Sequence, residues 1–231
     1  YLSEHSTPVI GKMLEHVSTI SCNNDKEIGK IISKAYEQVG KDGVVLMEES
    51  GTDKTFVDIV DGVQFDSGLK SPHFITDKDK NRCILEDPCI LIVDGKIPNL
   101  RKIQNILEYI IKGKRSLLIV AGVEQQLQSA LLMNKVKGNI NVNLVNCPGF
   151  GPTRRESIED LALLTGAKLI SEELGDDLDL LSPEVLGHIN KAVTDDTHTV
   201  LTISGKPKEL DNRIKEVKKL LNNEKDPFMK T

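Results

Sequence analysis

Between residues 89 and 171 the chain alternates short apolar runs with longer segments whose apolar residues recur at helical spacing. No other feature limits the fold as much. Residues 89–94, 117–121, 142–146 and 168–171 read as strands, and 99–112, 123–137 and 153–165 read as helices. Strands joined through helices of this length require right-handed crossovers and give a largely parallel sheet covered by helices. The expected fold class is therefore α/β and layered.

The layers must close on an aliphatic core, because aromatic residues make up only 3% of the 231 residues and tryptophan is absent. The net charge of −5 offers no basic field for nucleic acid. The apolar runs are too short to cross a bilayer, so neither a membrane nor a nucleic acid is an expected partner. The cysteines at 22, 83, 89 and 147 form no CxxC pair and lack a histidine at zinc-finger spacing. They read as free thiols of a reducing compartment. The chain starts at Tyr1 without a signal-peptide pattern, which suggests a piece of a longer protein.

Before the alternating region, Ile10, Met13, Leu14 and Val17 repeat at helical spacing. A second helix is signalled by Asn24-Asp25 as its cap, the apolar positions Ile28, Ile31, Ile32, Ala35 and Val39, and Gly40 as its stop. Short strands are expected at 44–47 and 55–60. Residues 60–76, VDGVQFDSGLKSPHFIT, combine Gly62, Gly68 and Ser71-Pro72 with scattered apolar residues, and they read as a shaped surface loop. Past Gly175, a helical turn at 182–184 precedes a hairpin turning at Asp195-Asp196, and an amphipathic helix follows at 209–221.

Enzyme chemistry finds little support. The connection after the first strand of the layer is GKIPNL, and neither GxGxxG nor GxxxxGK(S/T) occurs. The PGFG turn (148–151) with Thr153, Arg154 and Arg155 either holds an anion at a helix N-terminus or makes a tight reversal with Thr153 as the cap; the turn is preferred. His5, His16, His73, His188 and His198 are widely spaced, and no serine sits in a nucleophile elbow. The acidic residues Glu172, Glu173, Asp176, Asp177 and Asp179 lack the spacing of a calcium loop, so no metal site is expected.

Three blocks in order carry a resemblance to group I chaperonins of the GroEL type. DGVQFDSGLKSPHFIT is similar to the segment (D/E)GMQFDRGYxSPYF that opens the family's apical domain. CPGFGPTRRESIEDLALLTG (147–166) with ISEELG (170–175) matches a downstream block, and STISCNNDKEIGKIISKAYEQVGKDGVV (18–45) looks like the family's intermediate domain. The resemblance implies a chaperonin apical-domain fold at 61–231, whose C-terminal helix heads back toward the intermediate domain. Residues 1–60 are then a partial, small α+β hinge domain.

The family binds non-native polypeptides, and competitively the mobile loop of a co-chaperonin ring, in an apolar groove between two helices and an adjoining loop. By resemblance the loop positions are Leu69, Ser71, His73 and Phe74. The first helix contributes Gln104, Leu107 and Glu108, and the second Gln128, Leu132, Met133 and Asn134. In the first helix Leu100, Ile103, Ile106 and Ile110 can face the sheet, leaving Leu107 and Ile111 for a shallower surface. In the second, Leu127, Ala130 and Leu131 serve the core, while Leu132 and Met133 are left over.

Gln104 and Gln128 stand where the family carries aliphatic residues, Leu69 and His73 stand for tyrosines, and Ser67 stands for an arginine. The first two make the groove more polar, and a paralogue with reduced client binding is one alternative; an α/β nucleotide-binding enzyme domain is another. The family's GDGTTT phosphate loop is absent from the sequence. The resemblance therefore implies no catalytic residue and no cofactor here, with ATP and Mg bound elsewhere in a full-length ring. The isolated chain is expected to be a monomer. ILIVDGKI (90–97) and the richness in lysine, asparagine and isoleucine suggest an organellar form, plastid-type or mitochondrial, with the bacterial cytoplasm as the alternative.

Overall fold

The structure is a computed structural model that describes residues 6–7, 9–40, 43, 45, 55–57, 62–149, 151, 154–203, 205, 207 and 209–223. The expected strand at 44–47 lies almost wholly outside these residues. Of the one expected at 55–60, residues 55–57 form no strand and the rest lie outside the description. The chain divides into two compact units, 1–60 and 61–231.

In the first unit, α1 (Lys12–Ser21) and α2 (Lys26–Val39) form a helical hairpin. Asp25 caps α2 by accepting hydrogen bonds from the amides of Glu27 (2.9 Å) and Ile28 (3.1 Å), which satisfies two of the helix's orphan donors. Gly40 ends it at φ 77°. Gly29 sits mid-helix because any side chain there would collide with Thr19 of the facing helix. Small residues thus set the approach of the two helices, with Ser18, Gly29, Ser33 and Ala35 buried.

The second unit is mixed α/β with two open sheets. The five-stranded sheet has the order β5 (Asn141–Val145), β4 (Ser116–Val123), β3 (Cys89–Ile97), β6 (Leu169–Ile170); β7 (Gly187–His188) also pairs with β3 and is the antiparallel member. The connections are α3 (Gln104–Gly113), α4 (Gln125–Val136) and α5 (Arg154–Thr165). Going from β3 to β4 to β5 the chain steps in one direction, so right-handed crossovers lay α3 and α4 on one face. The return to β6 reverses the step and sends α5 to the other. Burial agrees: Leu91, Ile119 and Leu144 pack with Ile106, Ile110, Leu127 and Leu131, whereas Ile90, Leu118 and Val120 pack with Ile158 and Leu161.

A second sheet covers the α5 side. It is antiparallel, in the order β1 (Gly62–Phe65), β9 (Thr199–Thr202), β8 (Lys191–Thr194), β2 (Cys83–Glu86). The hairpin turning at Asp195-Asp196 is β8–β9. The expectation of a loop throughout 60–76 is corrected at Gly62–Phe65, where VQF alternates into a strand whose Phe65 is buried. Gly68 is required by close approach, since a Cβ there would overlap the carbonyl of Asp196.

Other limits shift. The first strand of the layer runs on to Ile97 and so takes in GKI of the supposed turn. The following helix starts as a 3-10 turn, Leu100–Ile103, before α3. Strand β4 takes up Val123, so α4 begins later than expected. The final amphipathic helix is α6 (Leu210–Asn223). Among the described residues no helix is long and apolar enough to cross a membrane.

Candidate functional site

The α3/α4 face is where the sequence places its candidate site. Asn99 sets the entry to α3: its Oδ1 accepts from the Arg101 amide at 3.1 Å, which caps the 3-10 turn. Ile103, Ile106, Leu107 and Ile110 then form one buried stripe, and Ile111 remains 47% exposed. Leu107, expected on a shallower outer surface, is only 5% exposed and belongs to the core. At helical spacing Leu107 lies about 40° to one side of Ile103 and Ile106 about 60° to the other, so a core stripe about 100° wide takes in both.

The polar residues of α3 serve one another. Gln104 Nε2 donates to Glu108 Oε1 at 2.9 Å, and Lys112 Nζ lies 3.5 Å from the other oxygen of Glu108. The Gln104 hydrogen bond, with Lys112 beside it, holds the Glu108 carboxyl below its usual value. Gln104 is thereby a neighbour's donor on the exposed helix face.

On α4, Leu127 and Leu131 are buried, Leu132 is partly buried against the same core, and Met133 is 60% exposed. Gln128 Nε2 donates to the Lys70 carbonyl at 3.2 Å, tying the 69–74 loop to the helix. Asn134 Nδ2 donates to the Ala130 carbonyl, and its Oδ1 accepts from Asn139, which closes the helix end. The expectation that Ala130 is a core residue is corrected: it is half-buried and lines an open cavity.

In the loop, Leu69 is half-buried and its amide donates to the Asp195 carbonyl at 2.8 Å. Ser71 Oγ accepts from the His73 amide at 3.3 Å and so starts the 3-10 turn Pro72–Phe74. His73 is exposed. Phe74, placed in the groove by resemblance, is wholly buried in the core instead. Loss of a full aromatic face from water outweighs any role at the rim.

Lys135 was not among the sequence candidates, yet it organises this corner. Its Nζ donates to the carbonyls of Phe74 (2.7 Å) and Val142 (3.0 Å), lies 3.8 Å from Cys83 Sγ, and sits 5.5 Å from the Phe74 ring. Burial pushes its pKa down, while Cys83 beside it opposes the shift. A single cation thus joins the loop, β5 and α4. No spacing rule reveals it, since its partners are backbone carbonyls distant in sequence.

A cavity of about 390 Å³ opens between the heads of the two helices, lined by Asn99, Leu100, Arg101, Gln126, Leu127 and Ala130. Its volume falls in the range of small-ligand sites. None of the eleven sequence candidates lines it. A second cavity, of about 420 Å³, lies between β1 and α5, with Gln64, Ser157 and Asp160 among its walls. The Asp160 carboxylate there is clasped by Arg213 of α6, Nε to Oδ1 at 2.6 Å and Nη2 to Oδ2 at 3.4 Å, so it is not free to act as a base.

The arginines after PGFG are likewise engaged: Arg154 pairs with Asp94 at 3.1 Å and Arg155 with Glu159 at 2.9 Å. With both cations neutralised, the tight turn is the better account of the motif. Thr153 and Pro152 lie outside the described residues. Of the acidic residues that follow, Asp176 pairs with Lys168 and Asp179 with Lys102. Among the described residues no three His, Cys, Asp or Glu side chains gather as a metal site would need. The place where a dinucleotide-binding fold carries its glycine-rich turn is occupied by the end of β3. No family model matches the chain.

Proposed function

We propose that residues 61–231 are a polypeptide-binding apical domain of the group I chaperonin type, with residues 1–60 as part of its hinge domain. The single observation that carries this reading is the α3/α4 face. Two helices laid side by side on one sheet face leave a cavity between their heads and expose Ile111 on one helix and Met133 and Val136 on the other. Exposed methionine and aliphatic side chains suit a site that accepts many sequences, because apolar burial requires area and no particular partner. The three sequence blocks of the family supply the rest of the argument.

The energetics fit weak, repeated capture. Burying roughly 200 Å² of apolar surface contributes about 5 kcal/mol before the costs of association and ordering. One such domain holds an unfolded chain loosely. A ring of them, in a full-length protein that binds ATP and Mg outside these residues, gains through multivalency. Co-chaperonin docking on the same helices would then displace the client by competition.

The test is titration of the 231-residue chain with a labelled co-chaperonin mobile-loop peptide, competed by an unfolded client. Met133→Glu and Ile111→Glu are the variants of choice, since both side chains are exposed; Leu132 packs against the core and would confound folding with binding. Saturable binding that the client displaces and each charge weakens about tenfold is expected. A folded chain that binds neither peptide nor client overturns the reading. Saturable nucleotide binding by the same chain would favour the nucleotide-binding alternative.

A further inference from the structure

The cavity between the heads of α3 and α4 carries a charge that apolar capture does not use. Arg101 stands on its wall, exposed, and among the described residues no carboxylate pairs with it. Its neighbour Lys102, by contrast, is taken up by Asp179. Gln126, also exposed, supplies a second polar wall from α4. Leu100, Leu127 and Ala130 make the remainder of the lining apolar, with Leu127 fully buried.

We infer that this cavity is an acid-selecting subsite: it takes an Asp or Glu side chain from a bound polypeptide, the carboxylate on the Arg101 guanidinium and an adjacent aliphatic residue on Leu100 and Ala130. The inference rests on the proposed groove and specifies which segments occupy its head. Charge complementarity selects the occupant. A planar guanidinium offers paired donors that match a carboxylate, and the Gln126 amide can add a third donor from the opposite wall. The apolar lining lowers the local dielectric and strengthens the pair relative to one in open water. Long-range attraction cannot produce the same preference, because the chain's net charge is −5 and repels acidic ligands at a distance. The preference is local, and it depends on one residue.

The experiment uses labelled, C-terminally amidated apolar peptides that differ only by Glu against Gln, with the position scanned along the peptide, titrated into the 231-residue chain. At one position the Glu peptide binds about three- to tenfold tighter, the effect of one partly exposed, hydrogen-bonded ion pair. Arg101→Gln erases that margin, and Arg101→Glu reverses it so that the Gln peptide binds tighter than the Glu peptide. Circular dichroism and the thermal midpoint establish that these exposed-site variants remain folded. Equal affinity for Glu and Gln peptides, both saturating, overturns the inference and leaves the groove standing. A preference confined to peptides with a free C-terminal carboxylate overturns it in favour of a chain-end site. Absence of saturable binding by any peptide overturns both the subsite and the groove.

Discussion

Leu118 and Ile119 are neighbours on β4 and both are fully buried, yet they pack against different layers. Leu118 faces α5 and the antiparallel sheet, a layer closed by hydrogen bonds as well as by apolar contact. There Asn143 Nδ2 donates to Thr194 Oγ1 at 2.9 Å, Thr199 Oγ1 donates to the Ser67 carbonyl at 2.6 Å, and Ser67 Oγ accepts from the Asn146 amide at 2.8 Å. Ile119 faces α3 and α4, which leave a cavity between them and apolar residues on their outer sides. Both faces border a cavity, but α3 and α4 expose large apolar side chains where α5 exposes none. The same strand can therefore serve stability on one side and binding on the other.

Paired truncation is the strongest way to break this contrast. Leu118→Ala and Ile119→Ala each remove a buried aliphatic side chain and are expected to cost about 2–5 kcal/mol. The Leu118 side, pinned by its hydrogen bonds, has less room to collapse, so Leu118→Ala should lie at the upper end. Denaturant titration measures both, and a larger loss at Ile119 would show that the helix layer is the more rigid one.

Next in size is the buried polar chain. Asn143 is 1% exposed, and its Oδ1 also accepts from the Leu144 amide at 2.9 Å. Asn143→Ala leaves Thr194 Oγ1 with only its bond from Thr199 and removes the acceptor of the Leu144 amide in a buried site, at a cost of about 1–3 kcal/mol. Gln128→Ala, its counterpart on the open face, removes a bond that solvent can replace and should cost only a few tenths of a kcal/mol, about 0.5 at most. Equal losses would mean that the loop tie at Lys70 matters as much as the buried network.

The β8–β9 turn sharpens the comparison through pH. Burial pushes the Asp195 carboxyl up, but the amides of His198 and Thr197 and the Thr197 hydroxyl outweigh it and hold the group below its usual 3.8. Because the folded state depresses this pKa, the stability it contributes is present above pH 3.8 and is lost as pH falls through the folded value. Asp195→Ala is expected to cost about 1 kcal/mol near neutrality. In acid the variant and the parent should converge. A gap that persists at the lowest pH would assign the turn's stability to its backbone alone.

How much of this was legible in the sequence depends on whether neighbours in space are also neighbours in the chain. The β3–β4–β5–β6 layer was readable because β3 and β4 each hold a continuous apolar run and the four strands are separated by segments of helical period. The four-residue strands β1 and β2 were not, since their pairing with β9 and β8 joins residues more than a hundred positions apart and Gly62 resembles a turn residue. Within the candidate site, the Gln104–Glu108 bond follows from an i, i+4 spacing. The Gln128 tie to Lys70 and the Lys135 ties to Phe74 and Val142 follow from no spacing at all. Phe74 is placed in the groove by resemblance alone, and Leu107 looks available only when apolar residues beyond a first stripe are taken to face outward, whereas the core stripe is wide enough to bury it.

The smallest expected effect bears most directly on the open face. Met133 and Ile111 are 60% and 47% exposed, and a residue with that much surface in water has little packing to lose. Met133→Ser and Ile111→Ser, alone or together, should leave the free energy of unfolding within about 0.5 kcal/mol of the parent. Affinity for an apolar peptide should nevertheless fall, because the transfer energy of those side chains is realised only when a partner covers them. The two readouts must part: unchanged stability with weakened binding. If the double variant instead loses more than about 1 kcal/mol, the residues already have a partner within the fold. The α3/α4 face would then be covered within the fold, and no groove would remain to be filled.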